Sequence, residues 1–307
     1  MISKGLIFKS TILLPAAFFL CLQAFSQTRQ TLLTITTEPG STVWIDDIRF
    51  GKTDSSGKIN IKNLGGTRHN IRVRADGFKE IAKAVSSAQG EVNIPLVKTT
   101  DPAELAFQEA EKLSLRDREK AAEGYRKAIK LKPNYPAAYI GLARVLSESG
   151  DTDGALKAIR DMRRIAPANA EASAIEGRVY KDIGEEAKAI AAFRRSITQA
   201  RGFQPEAFTG LGLLYKEKAE AAGAAGSLDD EAANYAEAAK DLSTGLKQLA
   251  GAPDASVLYQ LLGLIYERQK KYDDAIRIYN EFLQRFPDSN EAPTVRSFIE
   301  QIKKQMP

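Results

Sequence analysis

The chain has 307 residues, of which 43% are hydrophobic and 27% are charged, and this balance excludes a wholly disordered protein. At about 100–200 residues per domain, the length predicts two domains. The formal net charge of +5 includes two lysines in the first 26 residues, and the remaining excess lies in residues 27–98, where eleven Lys and Arg face seven Asp and Glu. A nucleic-acid-binding domain would concentrate basic residues more strongly, so no nucleic-acid partner is expected.

The first 26 residues have the features of a secretory signal peptide. Lys4 and Lys9 form a charged start, and residues 11–22 are an apolar run. Ala24 and Ser26 are small residues three positions and one position before a cleavage site that precedes Gln27. The run is shorter than the roughly 20 apolar residues of a membrane-spanning helix. We therefore expect an exported protein, in the periplasm or cell envelope or secreted, with no membrane-spanning helix after signal cleavage; an uncleaved anchor is the alternative.

Cysteine and histidine are too scarce for the common catalytic and metal sites. The chain has one of each, Cys21 and His69, which cannot supply a Cys–His catalytic pair or a His/Cys metal site. Lipidated bacterial precursors carry a small residue before a cysteine that ends the apolar run, whereas Leu20 precedes Cys21. We expect an ordinary signal residue there, and no cofactor, metal or enzymatic activity.

Residues 27–98 are predicted to form a small antiparallel β-sandwich. Apolar residues alternate with polar ones along five short segments, which is typical of half-buried strands. Turn-forming residues flank the segments at 38–41, 46–47, 54–57 and 65–66, since Gly and Asp tolerate the dihedral angles of tight turns. The apolar positions predicted to face the core are Leu33, Ile35, Val43, Ile45, Ile59, Ile61, Ile71, Val73, Val92, Ile94 and Leu96.

This region resembles the PEGA domain, a β-sandwich module of bacterial and archaeal envelope proteins. The resemblance rests on residues 37–53, TEPGSTVWIDDIRFGKT, which contain a Pro-Gly-small turn, a short strand and an Asp pair, and on residues 71–78, IRVRADGF, which end in Gly-aromatic. It implies a sandwich without catalytic residues of its own. Residues 51–64 are also similar to carboxypeptidase-regulatory-type modules, which implies the same fold.

Alternation places several residues of this β domain on its outward side. The ordinary expectation is a solvated charged face that prevents sheet pairing. The alternative is a surface that contacts acidic glycans or lipid headgroups, with the tryptophan either stacked on a sugar or packed under a loop. The candidate surface residues are Trp44, Lys58, Lys62, Arg72 and Arg74.

After residue 101 the sequence repeats itself with a period of 34 residues. The signature has the form aromatic-x-x-Leu-Gly-x-x-Tyr, then Ala-x-x-x-Phe, then Pro, and it resembles the tetratricopeptide repeat. The resemblance implies an all-α superhelical solenoid of stacked helix pairs. The matching positions include Ala143, Leu146, Gly150, Ala155 and Ile159, then Gly177, Tyr180, Gly184, Ala189 and Phe193, and later Leu262, Gly263, Tyr266, Ala275, Tyr279 and Pro287.

The array is predicted to cover residues 103–290, after a linker at 99–102, and to end in a capping helix at 291–307. The predicted units are 103–135, 136–169, 170–204, 205–255 and 256–289. The fourth unit is long, because 51 residues separate Gly212 from Gly263 where 34 are expected. We expect lengthened helices around a turn at 223–226.

In tetratricopeptide arrays the first helix of each unit lines a concave groove that commonly holds a peptide or a partner helix. The resemblance places Arg144 and Arg178 at equivalent sites of that groove, so the cations are expected either to select an acidic segment or to form a generic solvated wall. The Asn contacts of the chaperone-type carboxylate clamp are missing. The candidate groove residues are Ile140, Arg144, Ser147, Ala174, Arg178, Lys181, Thr209, Leu213 and Lys216.

These observations predict a non-enzymatic, exported scaffold or adaptor that contacts protein or peptide partners in the cell envelope through the groove. The alternative is a cell-wall or surface-glycan attachment protein whose β-sandwich is the binding module. Gly210 and Gly212 lack the preceding strand of a phosphate-binding loop. Asp151 and Asp153 lack the distal Glu of a calcium loop. An enzyme is therefore not indicated.

Overall fold

The computed structural model describes residues 32–62, 64, 68–249 and 251–306. The predicted signal peptide, Cys21 and the predicted turn at 65–66 lie outside these residues. Within the described part, none of the helices has the length and apolar character needed to cross a membrane.

Two small β-sheets form the N-terminal part of the described chain. A three-stranded sheet has the order β4-β1-β7 and a four-stranded sheet has the order β3-β2-β5-β6. The strands are β1 Leu32–Thr36, β2 Thr42–Ile45, β3 Ile48–Lys52, β4 Lys58–Lys62, β5 Arg68–Arg74, β6 Ile81–Ser86 and β7 Glu91–Asn93.

The inward side chains of the two sheets share one hydrophobic core, as the alternation in the sequence predicts. Leu33 and Ile35 of β1 are buried in the same cluster as Val43 of β2 and Val73 of β5. The all-antiparallel expectation is wrong at one place, because β1 pairs with β7 in parallel, with Ile35 opposite Val92. The five predicted segments do not include β3 and β6.

Eleven α-helices make up the rest of the described chain. They pack as consecutive pairs, α1 with α2 through α9 with α10, and α11 packs on α10. The first helices of neighbouring pairs also meet, α3 with α5 and α5 with α7. The helices are α1 Pro102–Leu113, α2 Arg118–Leu131, α3 Pro136–Glu148, α4 Thr152–Ile165, α5 Ala170–Asp182, α6 Glu186–Gln199, α7 Pro205–Ala224, α8 Leu228–Leu249, α9 Ala255–Arg268, α10 Tyr272–Arg285 and α11 Ala292–Gln305.

Local sequence explains where these helices begin and how closely they pack. Asp117 and Asp151 cap α2 and α4 by accepting hydrogen bonds from backbone N–H groups of the first turn. A Cβ atom at Gly177 of α5 would lie 2.6 Å from the Phe193 ring of α6, so the close approach of these two helices requires glycine at this position. The same close contact is made in two further pairs, by Gly212 of α7 with Leu242 of α8 and by Gly263 of α9 with the Tyr279 ring of α10, and it explains the small residues of the repeat signature.

The β region is attached to the first helix by hydrogen bonds. The Gln108 side chain of α1 is 3% exposed, accepts from the Gly77 N–H at 2.8 Å and donates to the Phe78 carbonyl at 2.8 Å. Glu104 accepts from the Glu80 N–H at 3.0 Å. These contacts join α1 to the segment between β5 and β6.

The hairpin of β2 and β3 also contacts the distal end of the helical array. Ile48, at the start of β3, is 8% exposed and belongs to the hydrophobic cluster of α8–α11 that includes Leu249 and Leu258. Phe50 packs against both this cluster and the core of the two sheets. The β region therefore touches both ends of the array.

Candidate functional site

Two adjoining cavities lie between the outer face of the four-stranded sheet and the first helices of the array. The first has a volume of ≈ 650 Å³ and is lined by the sheet and by α1, α2 and α3. The second has a volume of ≈ 1320 Å³ and is lined by the tip of the β2–β3 hairpin and by α5, α7 and α9. The residues that line both are Trp44, Arg49, Arg72, Arg144 and Glu171.

Strand register determines which side chains the sheet presents to the first cavity. Trp44 of β2 lies opposite Arg49 of β3 and opposite Arg72 of β5. Thr42 lies opposite Lys52 and opposite Arg74 in the same way. Since paired residues point to the same face of a sheet, these side chains form one basic surface around a single indole ring. The residues of this surface are Thr42, Trp44, Arg49, Lys52, Arg72 and Arg74.

Part of this basic surface is fixed by internal contacts. The Arg72 guanidinium lies 4.3 Å from the Trp44 ring centroid, and the Arg74 guanidinium lies 4.6 Å from the Phe107 ring of α1. Arg74 also forms ion pairs with Glu80 and Glu111. Burial acts to lower the pKa of Arg74, but the two carboxylates outweigh it and raise the pKa above its usual value. Arg74 is therefore charged, and its guanidinium is already engaged by Glu80, Glu111 and the Phe107 ring.

The predicted β-domain surface is not one surface, and this corrects the expectation from alternation. Lys58 and Lys62 are exposed on β4 of the three-stranded sheet, while Arg72 and Arg74 lie on β5 of the other sheet. Guanidinium groups already cover a face of the Trp44 ring. A sugar could stack on that face only by displacing them.

On the helical side, Arg144 of α3 is held by two carboxylates. Its Nη1 and Nη2 donate to the Glu206 oxygens at 3.1 and 3.0 Å, and Nη2 also donates to Glu171 at 3.0 Å. The attraction of Glu206 raises the pKa of Arg144. Burial acts to raise the pKa of Glu206, but Arg144 more than reverses this and the pKa is lowered. This arginine acts as a link between α3, α5 and α7.

Arg178, the equivalent residue of the next unit, is less constrained. Its nearest carboxylate oxygens, on Glu148 and Glu206, lie 3.9 Å away. That separation is too long for a hydrogen bond. Its Nε and Nη2 atoms are buried and have no hydrogen-bond partner in the described part of the chain. Arg178 lines the second cavity with an incompletely satisfied guanidinium.

The remaining predicted groove residues divide between the cavities and the helix packing. Ile140 lines the first cavity, and Lys181, Thr209 and Leu213 line the second. Ser147 and Lys216 line neither, and Lys216 forms an ion pair with Glu220 of its own helix at 2.7 Å.

Ala174 requires a correction among the predicted groove residues. It is fully buried in the cluster with Phe193 and Leu211 and so offers no surface to a partner. Its methyl group is part of the packing between α5, α6 and α7.

Sequence reasoning missed the contribution of β3 to this site. Arg49 and Lys52 line the first cavity, but the predicted strands do not include the short segment after Asp47. The alternation of Ile48 and Phe50 with Arg49, following a turn-forming Asp pair, is the signal that could have found it. His, Cys, Asp and Glu side chains of the described residues form no group suited to a metal ion.

Comparison with known proteins identifies the helical repeats. Models of the tetratricopeptide repeat match residues 112–179 and 259–289. No curated protein matches the chain. The yeast Tom70 structure is 17% identical with a TM-score of 0.53, over 67% of this chain and 41% of that one. The Cut9–Hcn1 structure of the APC/C is 17% identical with a TM-score of 0.52, over 67% of this chain and 37% of that one.

A thermophilic tetratricopeptide-repeat protein of Thermus thermophilus is 16% identical with a TM-score of 0.47, over 65% of this chain and 98% of that one. This chain spans less than half of the Tom70 and Cut9–Hcn1 chains that it matches. The prediction of tetratricopeptide repeats is confirmed. The PEGA resemblance of the β region stays a prediction.

Proposed function

Because the chain contains tetratricopeptide repeats, we propose that it is a non-enzymatic scaffold that binds an extended segment of a partner protein. Arrays of this kind use the continuous surface formed by successive repeats for binding. The observation that carries the proposal is the pair of adjoining cavities, ≈ 650 and ≈ 1320 Å³, along the first helices. Together they suit an extended chain better than a single small ligand, because drug-sized ligand pockets have about 300–1,000 Å³.

Apolar side chains in the second cavity form a surface on which such a segment can bury an anchoring side chain. Phe203 is 43% exposed and Val257 is 56% exposed, and both line the cavity beside the half-buried Leu213. Exposed apolar groups gathered in a concave site are typical of places where a partner buries one or two large side chains.

The test is selection of binding peptides from a displayed random library on the purified protein, followed by affinity measurement by fluorescence anisotropy. The Leu213→Trp substitution places a bulky ring in the second cavity. We expect it to weaken the selected peptides by about tenfold or more, since it removes the space for their anchor.

The matched control is Gln301→Trp, which adds the same ring at an exposed position of α11. The control should bind the selected peptides with the same affinity as the unmodified protein. Equal affinity of the Leu213→Trp protein and the unmodified protein for every selected peptide would place binding elsewhere and reject this site.

We also propose that the scaffold is exported to the cell envelope and that its β region is a PEGA-type module. Lys4, Lys9 and the apolar run at 11–22 support export, and residues 37–53 support the module. Mass spectrometry of the protein from fractionated cells should find a mature N-terminus at Gln27 in an envelope or secreted fraction. A cytoplasmic protein that retains Met1 would contradict export.

A further inference from the structure

The carboxylates that line the first cavity are all paired with cations of the chain. Glu111 pairs with Arg74, and Glu171 pairs with Arg144 at 3.0 Å. The other two pairs are Asp76 with Lys112 at 3.2 Å and Glu148 with Arg118 at 3.5 Å. Among the described residues, the cavity therefore offers no free carboxylate to a cationic partner.

The cations of the same cavity outnumber its carboxylates, and three of them are unpaired. Arg49, Lys52 and Arg116 lie within 4.0 Å of no carboxylate oxygen among the described residues, and all three are exposed. A fourth, Arg72, lies 3.8 Å from Asp47 and 3.5 Å from Glu80, and its Nε atom is buried without a hydrogen-bond partner. The first cavity thus has an uncompensated positive charge.

The second cavity differs in charge. Its lining has five cations and six carboxylates, and Lys181 is already paired with Glu217 at 3.0 Å. Its carboxylates are Asp46, Asp47, Glu171, Asp182, Glu206 and Asp254. A ligand that extends through both cavities would meet a basic end and an apolar end.

We propose that the first cavity selects an acidic segment of the partner protein, whose carboxylates pair with Arg49, Lys52 and Arg116. This inference rests on the proposed scaffold function and adds the chemistry of the partner. Arginine forms strong, directional hydrogen bonds with carboxylates, and charge complementarity gives specificity and fast association. A small free anion would leave the continuous second cavity empty, whereas an acidic segment with an apolar residue occupies both.

The experiment measures binding of a fluorescein-labelled hexaglutamate peptide to the purified protein by anisotropy, with the labelled hexaglutamine peptide as its neutral counterpart. The double substitution R49Q/K52Q should weaken hexaglutamate binding about tenfold and flatten its dependence on ionic strength between about 0.05 and 0.2 M. Hexaglutamine should bind weakly, and the double substitution should not change its affinity.

The matched control is K58Q/K62Q, which removes two exposed charges of the same sign from β4 of the three-stranded sheet. Equal weakening by both double substitutions would show attraction to net charge alone and overturn the proposal. Equal binding of the two peptides to the unmodified protein would overturn it as well.

The library peptides separate this inference from the scaffold proposal. If R49Q/K52Q keeps full affinity for peptides that Leu213→Trp no longer binds, the scaffold function stands and selection for acidic segments is rejected. If neither variant affects any peptide, the proposed function itself fails.

Discussion

Arg144 and Arg178 are 34 residues apart and share a register position, yet their surroundings give them different roles. The carboxylates of Glu171 and Glu206 lie in the first turns of α5 and α7, where the helix dipole favours a negative charge. Both carboxylates bind Arg144, whereas Arg178 has only distant ones. Arg144 is therefore a structural link between units, and Arg178 is the residue of the two with unused hydrogen-bonding capacity.

Replacing Arg144 should destabilise the fold. The Arg144→Ala substitution leaves Glu171 and Glu206 without their shared partner, and loss of hydrogen bonds to charged, partly exposed groups costs about 1–2 kcal/mol. Urea titration at neutral pH measures the decrease in the free energy of unfolding relative to the unmodified protein. The control is Arg277→Ala, because Arg277 is 53% exposed and, among the described residues, pairs only with Asp274 and Glu281 of its own helix. That change should cost less than about 0.5 kcal/mol.

The ion pair of Arg144 with Glu206 predicts that the stability of the fold depends on pH. Since Arg144 lowers the pKa of Glu206 below its ordinary value, the unfolded chain binds a proton more readily than the folded one. The stabilisation is present above the ordinary glutamate pKa and is lost as the pH falls through the lowered one. The Arg144→Ala protein should lose less stability over this range than the unmodified protein, and an identical loss would contradict the assignment.

At the scale of elements, the helices were more predictable than the strands. The contact of Gly177 with the Phe193 ring has a counterpart in that of Gly263 with the Tyr279 ring, and because these partners are close in sequence, their spacing reveals the helix pairs. Strand pairing depends on distant parts of the chain, and the parallel pairing of β1 with β7 joins residues more than fifty positions apart. Nothing in a local alternation pattern determines that partner.

The candidate site shows the same division between local and distant information. The resemblance to the tetratricopeptide repeat places Arg144 and Arg178 on the first helices of their pairs, but the pairing of Arg144 with Glu206 spans 62 positions. Equally, no spacing in the sequence shows that Arg49 and Lys52 of β3 face α1 and α3. The position of the site within the repeats was predictable, but its free charges were not.

At the scale of the whole described chain, the β region lines the candidate site and is not only a neighbouring module. The sheet supplies one wall of each cavity and the first helices supply the other. The hydrogen bonds of Gln108 hold one end of this arrangement, and the burial of Ile48 holds the other. Width and access of the cavities therefore depend on both attachments.

The attachment at Ile48 can be broken selectively. Ile48→Asp buries a carboxylate in the cluster of α8–α11, and because an unpaired buried charge is strongly unfavourable, the hairpin should separate from these helices. Hydrogen exchange followed by mass spectrometry should show faster exchange in β2, β3 and the start of α9. The segment joined to α1 through Gln108 should exchange as before, because its hydrogen bonds are untouched.

Val97→Asp is the control for this change, since Val97 is 65% exposed in the same β region and a carboxylate there stays in water. Its exchange should match that of the unmodified protein. If Ile48→Asp accelerates exchange throughout the β region, including residues 77–80, then Ile48 stabilises the two sheets as a whole. If it changes exchange nowhere, the pairing of β2 with β5 alone holds the hairpin. The wall of the second cavity is then positioned by strand pairing and not by contact with the distal helices.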